Sequence, residues 1–202
     1  MGMILPRKRL GLYGGTFDPL HKGHLAVARA ARQAFGLDRV LVIPNRLPPH
    51  KQALTGASYE QRLEMVRLAC AGDEGLEACD VEDREGKSYT IQTLERLRES
   101  YGSGVDFFFI IGADAFAEVL TWYRVAEVFA MTEFIVAARP GFDYEVPAGA
   151  RVHRLDSLDL SESSSGIRAR LAQGLGAEDL PEAVADYIRR AGLYRKERMT
   201  VV

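Results

Sequence analysis

Two rhythms of apolar residues alternate along this chain: short dense runs, and longer stretches that repeat every three or four positions. Leu10 to Tyr13 predicts a first strand, closed by a turn at Gly14-Gly15. A helix is expected from about Gly23 to Phe35, with Leu25, Ala28, Ala31 and Phe35 on one face and Gly36 as its stop. Arg39 to Ile43 reads as a second strand ended by Pro44. The following Asn45 to Ala57 is too broken by proline and glycine to be regular. Ser58 and Gln61 have the spacing of a capping box, which opens a helix running to about Ala71. Leu76 to Val81 predicts a third strand, and Ile91, Leu94, Leu97 and Tyr101 mark an amphipathic helix. Asp106 to Ile111 is apolar without alternation, as in a central strand covered on both faces. Helical spacing continues from Ala113 to Met131, Glu133 to Ala138 gives a fifth strand, and a short strand is expected near Val152. Two helices follow, opening near Ser165 and Pro181.

Strands that alternate with helices predict an α/β, Rossmann-like doubly wound parallel sheet, in the order 3-2-1-4-5 with room for a sixth strand. The 202 residues are expected to form a single domain, with a helical segment from about residue 160 packed upon it. Such sheets place ligands beyond the carboxyl ends of the strands where their order reverses, here between strands one and four. The segments YGGTFDP and IIGADAF end those two strands, so one crevice should lie between them.

Composition narrows the partners. A net charge of −2 supplies no global field for nucleic acid or an anionic membrane, so any anion must be held by a local site. The 47% hydrophobic content is ample for a core, and two cysteines, Cys70 and Cys79, read as buried free thiols. The first residues carry too short an apolar run for a signal peptide, and no stretch reaches the ~20 apolar residues of a membrane helix. A cytoplasmic protein is the expectation; the number of subunits is left open.

The chemistry concentrates in Gly14 to His24, GGTFDPLHKGH. Gly14 and Gly15 let the backbone approach a ligand and expose main-chain N–H groups to an anion. His21 and His24 stand three apart at a helix start, so both rings can share one face beside the positive helix end. Such a donor cluster suits a phosphate whose charge rises during transfer. The loop has neither the G-x-G-x-x-G of dinucleotide-binding folds nor the Gly-Lys-[Ser/Thr] end of a P-loop. In SESSSGIRARL, Ser164 or Ser165 can cap a helix that buries Ile167, Leu171 and Leu175. Arg168 sits in its first turn, an unfavourable place for a cation unless an anion meets it there.

GGTFDPLHKGH together with SSSGIR resembles the nucleotidyltransferase superfamily marked by a His-x-Gly-His motif and a C-terminal Ser-Ser-Thr-x-Ile-Arg motif. Along nearly its whole length the chain is similar to the bacterial nicotinate-nucleotide adenylyltransferases. PPHK at Pro48 to Lys51, SYTIQTL at Ser88 to Leu94, IIGADAF with the following Trp122, ARPG at Ala138 to Gly141 and the closing VADYIRRAGLY all carry the resemblance. Ser165 departs from the usual threonine and keeps the hydroxyl.

The resemblance implies transfer of AMP from ATP to nicotinate mononucleotide, giving deamido-NAD and pyrophosphate in NAD biosynthesis. It implies that His21 and His24 bind the phosphates in transfer, and that Ser164, Ser165 and Arg168 hold the leaving pyrophosphate. Gly14, Gly15 and Thr16 would present main-chain donors, and Lys51 would add charge over the phosphates. Gly112 and Asp114 would line the nucleotide crevice, Asp114 near a ribose hydroxyl, with Thr90 and Trp122 facing the pyridine ring and its carboxylate. Magnesium would arrive with ATP, held chiefly by its phosphates, with no dedicated metal site on the protein. Taken alone, several of these residues have plainer readings: Trp122 as core, Asp114 as a cap, Lys51 as a solvated charge. Nicotinamide mononucleotide and phosphopantetheine remain alternative acceptors, and a non-catalytic adenylate sensor is the alternative of a different class.

Overall fold

The computed structural model describes residues 7–47, 56–84, 86–138, 143–156 and 163–195. In chain order these form β1 (Lys8–Gly15), α1 (Lys22–Ala34), β2 (Arg39–Pro44), α2 (Tyr59–Cys70), β3 (Leu76–Ala78), α3 (Thr90–Tyr101) and β4 (Val105–Gly112). The second half contributes α4 (Ala113–Phe116), a 3-10 turn at Val119–Thr121, α5 (Val125–Met131), β5 (Glu133–Ala138), β6 (Val152–Asp156), α6 (Ser164–Ala172) and α7 (Glu182–Ala191).

Every strand pairs in parallel, and the sheet order is β3-β2-β1-β4-β5-β6, the expected order with the sixth strand added beyond β5. Side chains alternate along each strand, so one sheet feeds two cores. Val40, Val42, Phe108 and Ile110 face α1, α2, α6 and α7, while Leu41, Ile43, Phe107, Phe109 and Ile111 face α3, α4 and α5. The apolar run of β4 is thereby explained, because its phenylalanines are needed on both sides. Ile167 of α6 and Val184 and Ile188 of α7 sit in the same buried cluster as Leu25 and Met65. The C-terminal helices therefore share the core of the sheet's first face. Burial pushes the Cys70 thiol up to about 12 and that of Cys79 up to about 11, as for unreactive thiols.

Several expected elements differ. β3 spans three residues, because β2 offers it partners only at Val40 to Val42. The stretch from Ala113 to Met131 is three short pieces, with Trp122 extended and Arg124 left-handed at φ 55°. That conformation is held from within and from outside the segment: Arg124 binds Glu127 of α5 at 2.6 and 2.5 Å and Glu95 of α3 at 2.9 Å. α6 takes its cap from Ser163, whose hydroxyl accepts the Gly166 N–H, in place of Ser164 or Ser165. Leu175 lies beyond the end of that helix, half-exposed, after Gly174 has turned left-handed at φ 72°.

Candidate active site

β1 carries its two glycines to the sheet's carboxyl edge. Gly14 and Gly15 are the last residues of the strand itself, and the expected turn is made instead by Phe17, at φ 49°. Gly15 has to lack a side chain, because a Cβ there would stand 2.8 Å from the Phe17 ring. The chain then passes through Asp18 and Pro19 into α1, whose N-cap is the buried His21.

The two histidines meet as their spacing predicts. Their rings stack at 3.7 Å between centroids with a 32° tilt, and Phe17 stands edge-on to His24 at 5.1 Å. The His21 main-chain N–H donates to Nδ1 of His24 over 3.2 Å. Burial lowers the His24 pKa from 6.5 to about 3, and the neighbouring His21 adds to the shift. At neutral pH His24 is therefore uncharged. Its Nδ1 is committed as an acceptor, so its single proton resides on Nε2. His24 is poised to donate a hydrogen bond without carrying a charge.

The first turn of α6 docks against the same loop. Ser164 donates to the Pro19 carbonyl at 3.1 Å, the Ser165 and Ser163 hydroxyls lie 3.1 Å apart, and Arg168 Nη1 donates to the Asp18 carbonyl at 2.7 Å. Among the described residues, the Asp18 carboxylate lies 3.8 Å from Arg168 Nη1 and offsets its charge at this helix end.

On the other side of the glycine strand-end lies a cavity of about 300 Å³, at the carboxyl ends of β1, β2 and β4. Gly14, Gly15 and Thr16 form one wall, Ser88, Tyr89, Thr90 and Thr93 another, and Phe109, Trp122 and Tyr123 the aromatic side. Trp122 is half-buried and packs edge-on to Phe109 at 5.6 Å, and Tyr89 and Tyr123 lie 4.9 Å apart near it. The N-cap residue Tyr89 makes no side-chain cap, and the positive end of α3 opens beside Thr90. Of the residues singled out in the sequence, Gly14, Gly15, Thr16, Thr90 and Trp122 line this cavity, whereas His21, His24, Ser164, Ser165 and Arg168 gather beyond it. Gly112 and Asp114 are exposed at the end of β4 and do not line it. Lys51 and the rest of Pro48 to Lys51 lie outside the described residues, as do Arg139 to Gly141.

Three residues that the sequence reading passed over organise the site. Arg62, 1% exposed, donates from Nη1 to the carbonyls of Thr16 (2.7 Å) and Asn45 (2.8 Å), and from Nη2 to that of Arg46 (3.3 Å). With the Asn45 and Arg46 carbonyls turned toward it, the next two N–H groups point the opposite way across their peptide planes. Those N–H groups, of Arg46 and Leu47, meet the Ser88 hydroxyl at 2.9 and 3.2 Å. Glu82 is buried against the cavity and accepts the Thr93 hydroxyl. Asp18, also buried, accepts hydrogen bonds from segments far away in sequence. Arg62 did leave a trace: it interrupts the apolar stripe of α2, between Tyr59 and Val66.

Residues 12–170 match the cytidylyltransferase-like family. The chain is 48% identical over 186 residues to a probable nicotinate-nucleotide adenylyltransferase of Solibacter usitatus, covering 92% of this chain and 99% of that one. A protein of the same description from Desulfitobacterium hafniense is 42% identical, with 96% and 100% covered. Among solved structures, the nicotinic acid mononucleotide adenylyltransferase of Plasmodium falciparum complexed with NaAD superposes with a TM-score of 0.76 at 20% identity, over 93% of this chain and 97% of that one. At that identity the likeness concerns the fold.

Proposed function

The chain belongs to the cytidylyltransferase-like family, within it to the nicotinate-nucleotide adenylyltransferases, and on that premise we propose that it transfers AMP from ATP to nicotinate mononucleotide, releasing pyrophosphate. The observation that carries this reading is the placement of two unlike sites on either side of one glycine strand-end. An aromatic, hydroxyl-lined cavity lies on one side, and a cluster of two histidines and an arginine lies on the other. A cavity of about 300 Å³ suits one small mononucleotide, which leaves the triphosphate to the histidine side.

In this assignment the pyridine ring rests against Trp122, and its carboxylate meets Thr90 and the start of α3. The acceptor phosphate is mostly dianionic at neutral pH, its second pKa being about 6, so it attacks the α-phosphorus of ATP with no general base. A bond forms from the acceptor oxygen to that phosphorus, and the bond from it to the bridging oxygen of pyrophosphate breaks. The protein aligns the two polyanions and meets the charge that develops. Nε2–H of His24 donates to the phosphoryl group in transfer. Ser164, Ser165 and Arg168 receive the pyrophosphate, with Gly14, Gly15 and Thr16 alongside, Lys51 contributing its charge to the phosphates, and Gly112 and Asp114 at the nucleotide rim.

Among the described residues no group of three or more His, Cys, Asp or Glu side chains could hold a metal ion. Magnesium, on this proposal, would arrive with ATP, held chiefly by its phosphates. No helix of the described residues is long and apolar enough to cross a membrane, and the reading places the enzyme in the cytoplasm, beside its ATP.

The test is pyrophosphate release from ATP with nicotinate mononucleotide, its amide, or phosphopantetheine as acceptor. The acid should be turned over with the highest kcat/KM, because the amide would turn a donor toward donors. Equal use of acid and amide removes the acceptor assignment, and release with phosphopantetheine alone removes the pyridine pocket.

A further inference from the structure

Asp18 occupies a position that none of the steps above uses. It is 4% exposed, and its carboxylate collects three donors from two distant segments. Oδ2 accepts the Gly56 N–H at 2.7 Å, and Oδ1 accepts the Ala57 N–H at 3.1 Å and the Tyr194 hydroxyl at 2.6 Å. The same residue's carbonyl accepts Arg168 Nη1 at 2.7 Å, and Oδ2 lies 3.8 Å from that nitrogen. The partners pack against one another as well: a Cβ on Gly56 would lie 2.7 Å from the Tyr194 ring and 3.3 Å from Arg168 Cδ. A buried carboxylate costs several kcal/mol to desolvate and is kept only when donors surround it. Here the donors come from the approach to α2 and from Tyr194, three residues past the end of α7, and a guanidinium of α6 stands beside them.

Resting on the function proposed above, we infer that Asp18 is a positioning residue for the pyrophosphate end of the site. It acts through Arg168 and Tyr194 and touches no substrate. The side chain of Arg168 is 36% exposed, so without a fixed neighbour the guanidinium would sample many rotamers. Asp18 fixes one corner of it, Nη1, and the ring of Tyr194 backs Gly56 against its stem. The remaining donors of the fork are thereby pre-aimed, and less ordering is left for the moment of binding.

The experiment is a double-mutant cycle read by calorimetric binding of pyrophosphate, which needs no acceptor and no turnover. Asp18→Asn keeps the size and the carbonyl contact but turns an amide donor toward donors. It should weaken pyrophosphate on the order of tenfold in the wild-type background and change it less than about twofold in Arg168→Ala, since residues acting as a unit are non-additive. Tyr194→Phe leaves the charge in place and removes one of the three hydrogen bonds. It should show a smaller loss of the same pattern, and it carries the test if Asp18→Asn does not fold. Equal losses in both backgrounds overturn the inference and leave Asp18 a purely structural residue. A wild type that binds no pyrophosphate overturns it too. A wild type that binds pyrophosphate but does not use nicotinate mononucleotide removes the acceptor assignment alone.

Discussion

Replacing Arg62 by methionine should destabilise the protein by about 2–4 kcal/mol, the net of three lost hydrogen bonds and a recovered cost of burying the charge. The side chain is enclosed, and it serves the carbonyls of Thr16, Asn45 and Arg46 at 2.7, 2.8 and 3.3 Å. The two short, charge-assisted bonds are worth about 1.5–3 kcal/mol each when a partner is stranded, and the long third bond adds less. Against this stands the cost of holding a guanidinium out of water, visible as a lowered Arg62 pKa caused first by burial. Methionine recovers part of that cost, which brings the net loss below the simple sum. Lysine keeps the charge but replaces a planar fork with a single ammonium, and should lose about 1–2 kcal/mol. Urea unfolding of the three proteins at one pH reads these differences directly, with an unchanged slope showing that only stability has moved. Acceptor KM should rise in Arg62→Met, because Ser88 and Thr16 are held in place through the same peptides. A methionine variant within about 0.5 kcal/mol of wild type would refute the reasoning, since the three carbonyls would then need no buried cation.

His24→Ala should lower kcat by ~10²–10³-fold with little change in either KM, as expected for a donor engaged chiefly in the transition state. His24→Asn, which keeps an N–H but cannot act as a base, should recover part of that loss; near-wild-type kcat in the alanine variant contradicts the role. The same residue should leave a mark on stability against pH. Its folded pKa of about 3 lies below the ordinary 6.5, so the unfolded chain takes up the extra proton and stability falls as pH drops from about 6.5 toward 3. His24→Gln should flatten that fall in urea midpoints, and an unchanged profile would show that the imidazole is not held neutral. Trp122→Ala should raise acceptor KM on the order of tenfold while ATP KM stays within about twofold, the loss of one ring-stacking contact; an effect on ATP instead would move the pyridine ring elsewhere.

What the sequence discloses is what is local. The capping box at Ser58 and Gln61 forms both of its bonds, at 3.2 and 2.8 Å, because all the atoms involved lie within one turn. The histidine pair is legible for the same reason, and the unbroken apolar run FFFII of β4 reveals its two buried faces because no polar residue alternates with the apolar ones. Features that depend on distant partners are not legible. Nothing near Arg62 names the three carbonyls it serves, and Asp18 meets donors 38 to 176 positions away. The break before α5 looks helical in the sequence because left-handed Arg124 is stabilised by Glu95 from another helix. Ser163 outcompetes its neighbours as the cap of α6 for a tertiary reason as well, since the Ser164 hydroxyl is engaged by Pro19.

The central claim is that an oxygen of the acceptor's own phosphate attacks the α-phosphorus of ATP and becomes the bridge of the dinucleotide. It is tested most directly by supplying nicotinate mononucleotide with its non-bridging phosphate oxygens labelled with ¹⁸O, together with unlabelled ATP. The products are then weighed by mass spectrometry. The account predicts that all of the label appears in the dinucleotide, one atom of it bridging the two phosphorus atoms, and that the pyrophosphate carries none. Label in the pyrophosphate, or an unlabelled bridging oxygen in the dinucleotide, would contradict it.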